Sequence, residues 1–357
     1  MIKKYEVSNF KSVAHASLDL TKANVLLGLN SSGKSSLIQP LLLLRQSAVV
    51  GSLRDQRVSL NGPLVNLGTG QDVLSEFASD EVSTVSWDGT TVRMPYVPTA
   101  SELTVEVSGG IRDDEPPLSN FIYISTARIP PQVLYGRHHQ YESASPMVGA
   151  QGEDAPGYLA VHGNSNLGGD RTQRDKGATG TLLEQVTTWM GRISPEVSLS
   201  LNELDQLDGL ELRFEFDGQA GVRTRPYRAG NVGFGLSHSL GVVLALVAAE
   251  AGSLVVLEGP EAHLHPRAQR FLGHLIGQAA GDGVQVIVET HSQEVVRGMS
   301  SAVSSGWLPR PDFTVHYCIR DLAETKVAQI QAGHDGRLKH VGGYDRIPEE
   351  YYAEFSP

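Results

Sequence analysis

The sequence predicts an α/β fold in which a mainly parallel sheet is flanked by helices and carries an antiparallel β subdomain. Three features predict it. A short apolar run enters a glycine loop and continues as a helix, between Asn24 and Val49. The C-terminal third alternates buried strands with helices, and residues 82–107 alternate apolar with polar side chains as half-buried antiparallel strands do.

In chain order, residues 2–7 and 16–20 read as strands separated by Asn9-Phe10-Lys11-Ser12, and 24–27 as a buried strand. Residues 35–49 form the following helix, where Pro40 is expected to kink it or reset its frame. A loop-rich stretch (51–80) and the antiparallel meander (82–107) lead to a strand at 120–125. Residues 126–180, crowded with Gly, Ser, Pro, Asp and His, are too long for an idle loop in a compact domain; part is expected to order only with a partner. A helix (182–190), a strand (197–201) and a hairpin (210–227) turning near Asp217-Gly218 follow. Then come helix 236–251, strand 254–257, helix 266–280 opened by Pro266, strand 284–289, and a hairpin of 313–320 with 326–332 before an acidic, tyrosine-containing tail. The expected organisation is a first lobe (1–50), a β-rich and glycine-rich insertion (51–230), a second lobe (231–312) and a C-terminal hairpin and tail (313–357).

With 357 residues, 40% of them hydrophobic, the chain can fill a sizeable core without staples. Its single cysteine, Cys318, has no partner for an internal disulfide and no metal-ligand spacing around it, so a buried thiol in a reducing compartment is expected. The longest apolar run, Val242 to Ala249, is too short to cross a bilayer, and the N-terminus lacks a signal-peptide core; a soluble, cytoplasmic protein with no membrane partner is expected. A net charge of -11 argues against a chain that coats nucleic acid. Arg128, Arg137, His138 and His139 in one loop, and Arg223, Arg225 and Arg228 in another, read as solvated surface, with a local basic face as the alternative.

The chemistry concentrates in a few places. Gly28-Leu29-Asn30-Ser31-Ser32-Gly33-Lys34-Ser35 matches G-x-x-x-x-G-K-[ST] between a strand and a helix. There the glycines let backbone N–H groups turn inward, Lys34 reaches the outer phosphates of a nucleotide, and Ser35 meets Mg2+. Such a loop needs acids on a neighbouring strand. The apolar strand ending at Glu258, with Glu261 three residues on, offers one carboxylate for the metal and one to orient the attacking water. His291, just after strand 284–289, stands where it can contact the terminal phosphate.

Together these pieces resemble the ABC-type ATPases of the structural-maintenance, RecF and OLD group, most closely the short AAA15-type ATPases of bacterial defence operons, including the Septu and retron-associated ATPases. The first half of the resemblance lies in Phe10-Lys11-Ser12 and in Asn30-Ser31-Ser32-Gly33-Lys34-Ser35-Ser36-Leu37. The second half lies in Val232-Gly233-Phe234-Gly235-Leu236-Ser237, in Glu258-Gly259-Pro260-Glu261-Ala262-His263-Leu264-His265-Pro266, and in Glu289-Thr290-His291-Ser292. Tyr123-Ile124-Ser125-Thr126-Ala127-Arg128 with Pro130 resembles a further segment of the defence ATPases. The resemblance implies an ABC-type P-loop ATPase head that uses ATP and Mg2+. Lys11, Asn30, Ser31, Ser32, Gly33, Lys34, Ser35 and Ser36 would bind nucleotide, and His291 would read the terminal phosphate. Gly235 and Ser237 would be a signature offered to the nucleotide of a second copy, with His263 to Pro266 linking the two sites.

Two departures matter. Many relatives carry adjacent acids at the strand end, whereas here Gly259 follows Glu258; either Glu261 takes the catalytic place or hydrolysis is slow. The stretch after His291 is too short for the TOPRIM nuclease of OLD proteins, so the expected function is a dimeric ATP switch controlling a separate effector, a nuclease, in anti-phage defence. The rivals are a RecF-like ATPase that binds DNA directly and an assembly scaffold with little turnover. Gly235-Leu236-Ser237-His238-Ser239 is a poor nucleophile elbow, and His263-x-His265 lacks a third zinc ligand.

Overall fold

Phe10 pairs with Val13 across the two-residue turn Lys11-Ser12, where Lys11 takes a φ of 52°. This closes β1 (Lys4–Phe10) and β2 (Val13–Asp19) into a hairpin longer than the sequence predicts. The computed structural model describes residues 1–112, 116–136, 145, 147–167, 180–218, 222–332 and 338–343; Arg137, His138, His139 and the tail lie outside them.

All five residues of β3 (Ala23–Leu27) are buried, and the chain passes through the glycine loop into α1 (Lys34–Val49). Pro40 neither ends nor resets α1. A helix-interior proline costs about 3 kcal/mol, but each buried leucine returns roughly 1.5–3 kcal/mol, and Leu37, Leu41, Leu42, Leu43 and Leu44 are all buried. Packing therefore overrides the local defect.

The loop-rich segment contributes β4 (Arg57–Ser59), and the meander supplies β5 (Val82–Trp87), β6 (Thr90–Pro95), β7 (Glu102–Thr104) and β8 (Glu106–Ser108). The antiparallel lobe takes in the N-terminal hairpin in the order β2-β1-β5-β6-β8. After β9 (Phe121–Ile124) and β10 (Tyr135–Gly136) comes α2 (Ala155–His162), a helix inside the stretch that reads as structureless. It is eight residues long and carries Gly157, too short and too weakly patterned to declare itself.

α3 (Leu182–Ile193) is capped by Thr181, whose side chain accepts from the Glu184 N–H. The expected hairpin is present, and a longer one precedes it. β11 (Val197–Leu204) pairs along its length with β12 (Gly209–Phe216), turning at Asp208-Gly209, while β13 (Tyr227–Arg228) adds two residue pairs to β12. The expected turn at Asp217-Gly218 is present as well, with Asp217 bridged to Arg223 and the Gly218 N–H donating to the Val222 carbonyl at 2.8 Å.

The C-terminal third runs α4 (Phe234–Ala248), β14 (Leu254–Glu258), α5 (Pro266–Gly281), β15 (Gln285–Thr290), α6 (Gln293–Ser304), β16 (Phe313–Asp321), β17 (Glu324–Ala332) and β18 (Leu338–Gly343). α6 and β18 were not expected. The signal for α6 was present: Ser292 caps it, and Val295, Val296, Met299 and Ala302 form its buried stripe.

The central sheet runs β18-β17-β16-β3-β15-β14-β9, with β9, β14, β15, β3 and β16 parallel. The phosphate-loop strand β3 thus lies between two strands from the end of the chain, a switch in strand order of the kind that opens a binding crevice at the carboxyl edge. Side chains alternate across the sheet. Val25, Leu27, Val255, Leu257, Val286 and Val288 join the core under α2 to α6, whereas Leu26, Val256 and Ile287 join the core under α1 and the antiparallel lobe. Among the described residues no helix is long and apolar enough to cross a membrane.

Candidate functional site

Gly28 (φ 154°) and Gly33 (φ 91°) shape the loop after β3. A Cβ on Gly28 would strike the Cys318 carbonyl and one on Gly33 the Thr325 hydroxyl, so the β16–β17 hairpin permits only glycine there. α1 begins with no side-chain cap and no acid in its first turn, leaving its N–H groups and positive dipole end for an anion. Lys34, 3% exposed, folds its ammonium across the loop and donates to the carbonyls of Gly28 (3.0 Å) and Leu29 (2.8 Å). Burial holds its pKa below the usual lysine range, against the pull of Glu289, Cys318 and Glu261.

Three carboxylates gather beside this loop. In the parallel register Glu258 stands opposite Glu289, and Glu289 opposite Leu26, so Glu289 lies between the phosphate-loop strand and Glu258. The Ser35 hydroxyl donates to Glu289 at 3.0 Å. Glu258 instead accepts from the Tyr123 phenol at 3.0 Å. Glu261 accepts the backbone N–H of His291 at 3.0 Å, which ties the turn after β14 to the turn after β15. Glu289 escaped the sequence reading, although Val286-Ile287-Val288-Glu289 repeats the pattern of apolar strand and terminal acid used to single out Glu258.

Burial and then the neighbouring Glu289 push the Glu258 carboxyl up to about 7, and burial raises Glu289 as well. One oxygen each of Glu261 and Glu289 is buried without a hydrogen-bond partner among the described residues. Crowded carboxylates with unused lone pairs fit a divalent cation. Among the described residues no set of three side chains forms a metal cage. Mg2+ keeps waters and phosphate oxygens as ligands and takes only one or two groups from the protein, a demand that Ser35 and Glu289 would meet.

The raised Glu258 value has a measurable consequence. A folded-state pKa above the unfolded one contributes stability below the unfolded value that is lost as pH rises through the folded value. Glu258→Gln, neutral throughout, is therefore expected to melt higher than wild type at pH 8 in the absence of nucleotide, by about 1–3 kcal/mol, with the difference shrinking towards pH 5. Thermal melts at the two pH values check this.

The cleft in front of the loop, about 560 Å³, is lined by Lys11, Ser12, Asn30, Ser31, Gly33, Lys34, Ser35, Ser36, Glu289, His291 and Arg320. Lys11 donates to Gln39 at 3.0 Å, Arg320 donates to the Ser31 carbonyl at 3.3 Å, and Ser32 is buried with an unpartnered hydroxyl among the described residues. Arg320 carried no sequence signal, because a hairpin distant in the chain delivers it. An adjoining cleft of about 440 Å³ shares Lys11, Ser12 and Arg320 and adds Asp72, Leu74, Glu76 and Phe77. The exposed Phe77 ring offers a face on which a base can stack.

Gly235 and Ser237 lie apart from this cleft, at the start of α4. Gly235 packs against the His263 carbonyl, and the rings of His238 and His263 meet edge to face at 4.9 Å. His265 caps α5, its Nδ1 accepting the Arg267 N–H at 3.2 Å. Gly259 has a φ of 48°, and a Cβ there would crowd Thr126, so the turn is built for glycine at the position where an acid is missing.

Arg128 departs from the expected solvated surface, whereas Arg223, Arg225 and Arg228 are exposed as expected. Arg128 is 9% exposed and donates to the carbonyls of Glu258 and Gly259. Arg223 pairs with Asp217, Arg228 pairs with Glu211, and Arg225 lies over the Tyr227 ring. Cys318 is buried beneath the phosphate loop, and burial pushes its thiol up to about 12.

A family profile described as "AAA domain, putative AbiEii toxin, Type IV TA system" matches residues 195–297, which include the start of α4, Glu258, Glu261 and His291. Two solved structures are similar. One is an SmcHead bound to the C-winged helix domain of ScpA, with a TM-score of 0.56 and 15% identity, covering 92% of this chain and 97% of that one. The other is an Smc head domain with an extended coiled coil bound to the C-terminal domain of ScpA, derived from Pyrococcus furiosus, with a TM-score of 0.54 and 14% identity, covering 92% and 96%. At these identities the likeness establishes the fold alone, the α/β fold of those Smc head domains. No curated protein matches the sequence.

Proposed function

We propose that this chain is a magnesium-dependent ATPase head that acts as a pair of copies and switches a separate protein effector, a nuclease, in prokaryotic anti-phage defence. The observation that carries the reading is the gathering of Lys34, Ser35, Glu289, Glu261 and His291 around one loop, at the tips of neighbouring parallel strands and beside a cleft of nucleotide size.

The roles follow from placement. The uncapped start of α1 and Lys34 bind the outer phosphates, with Lys11, Asn30, Ser31, Ser32, Gly33 and Ser36 completing the wall. Ser35 and Glu289, with Glu258 behind them, hold the metal; Mg2+ bound there supplies charge neutralisation on the transferring phosphoryl group. Glu261 accepts the proton of the attacking water, and His291 faces the terminal phosphate. Gly235 and Ser237 are not among the residues lining the cleft of their own phosphate loop. The exposed Phe234 beside them supports their use against a second copy.

The defence assignment is supported by the motif resemblance and by the toxin-family description of the matching profile. A protein partner is supported by the ScpA-bound heads of the same fold. The net charge of -11 weighs against a DNA clamp.

The test is uptake of ATP with Mg2+ by the purified chain, followed by its sedimentation. ATP is expected to bind and to convert monomer to dimer. A monomer saturated with ATP would remove the pairing, whereas absent uptake would remove the whole reading.

A further inference from the structure

A small cavity lies between the segment that follows β9 and the first turns of α4, and Arg128, Ser237 and His238 are among the residues lining it. Arg128 spends one terminal nitrogen, Nη2, on the carbonyls of Glu258 (3.0 Å) and Gly259 (2.8 Å). Its Nε and Nη1, the Ser237 hydroxyl and the His238 Nε2 are buried with no hydrogen-bond partner among the described residues. A strut for the Glu258–Gly259 turn needs one donor, which a smaller side chain could supply. The other guanidinium nitrogens are desolvated with no hydrogen bond returned, and buried polar groups left in that state call for an explanation.

The surroundings supply one. The loop from Gly259 to His265 is held at its start by Arg128 and further along by α4, where Gly235 abuts the His263 carbonyl and the His238 ring abuts that of His263. Both grips therefore act on the segment that carries Glu261. Ser237 and His238 each bring an oxygen or nitrogen able to accept from the idle guanidinium nitrogens, so a small shift of the helix start closes hydrogen bonds that are open here. Packed elements of this sort have two arrangements rather than a continuum.

We propose that Arg128 is a positioning residue coupling the first turn of α4 to the Glu258–Gly259 turn, so that a second copy's triphosphate settling on α4 sets the carboxylate geometry of this copy's own site. The inference rests on the paired-head reading above. It gives the Tyr123 to Arg128 segment a purpose: Tyr123 holds the Glu258 carboxylate, and Arg128 holds its backbone.

The test measures ATP affinity, ATP-dependent self-association and turnover for wild type, Arg128→Lys, His238→Gln and the double variant. Arg128→Lys is expected to keep ATP affinity and self-association and to lose turnover by about tenfold or more. His238→Gln should lower turnover by about threefold or more at unchanged KM, although His238 lies outside the phosphate cleft, and the double variant should be no slower than Arg128→Lys alone. Losses that multiply, or affinity falling in step with turnover, overturn the coupling and leave the ATPase reading standing. Absent turnover in wild type overturns both. Should Arg128→Lys melt markedly lower than wild type, His238→Gln decides alone, and full turnover in that variant overturns the inference.

Discussion

Lys34→Ala is expected to weaken ATP binding by about 100-fold or more, equivalent to roughly 2.7 kcal/mol, with a melting temperature close to that of wild type. The ammonium is buried and its pKa is depressed by that burial, so the fold gains little from it. Against a triphosphate it is the cationic side chain that the loop itself carries. Without it, the Gly28 and Leu29 carbonyls that it now covers would turn their lone pairs toward the phosphates. Titration calorimetry with ATP and Mg2+ checks the loss; binding within about threefold of wild type would show that the loop is not the phosphate site.

Glu261→Gln is expected to cut turnover by about 10²–10³-fold while leaving ATP affinity intact and prolonging the ATP-bound dimer. Of the three carboxylates, Glu289 is committed to Ser35 and Glu258 to Tyr123. Glu261 has one oxygen on the His291 backbone and the other unpartnered among the described residues, close enough to Lys34 and Arg128 for their charges to interact. On the proposed reading, that leaves Glu261 to take a proton from water beside the terminal phosphate. Single-turnover phosphate release checks this. Undiminished turnover in Glu261→Gln would move the base to Glu258 or leave the chain a slow, scaffold-like head.

The site was legible in part. The glycine loop, the strand ending at Glu258 and the turn containing His291 could be read because each is a short contiguous pattern whose chemistry dictates its residues. Glu289 and Arg320 could not be given roles, since each acquires one only by lying against the phosphate loop: Glu289 through the register of β15 with β3, Arg320 through the β16–β17 hairpin. Arg128 looked like surface because an arginine in a polar loop is usually solvated, and nothing local announces that the loop folds back on β14.

By itself the sequence determined the α/β class, the phosphate loop, the strands that surround it and the glycine at position 259, all set by apolar periodicity and backbone freedom over short spans. Only the tertiary structure decided which acid meets Ser35, which oxygens and nitrogens remain unpaired, and that α4 and Arg128 grip the same turn. Those outcomes depend on strand order and on contacts between residues more than a hundred positions apart, and pairing across such distances is set by the packing of the whole sheet rather than by any local pattern.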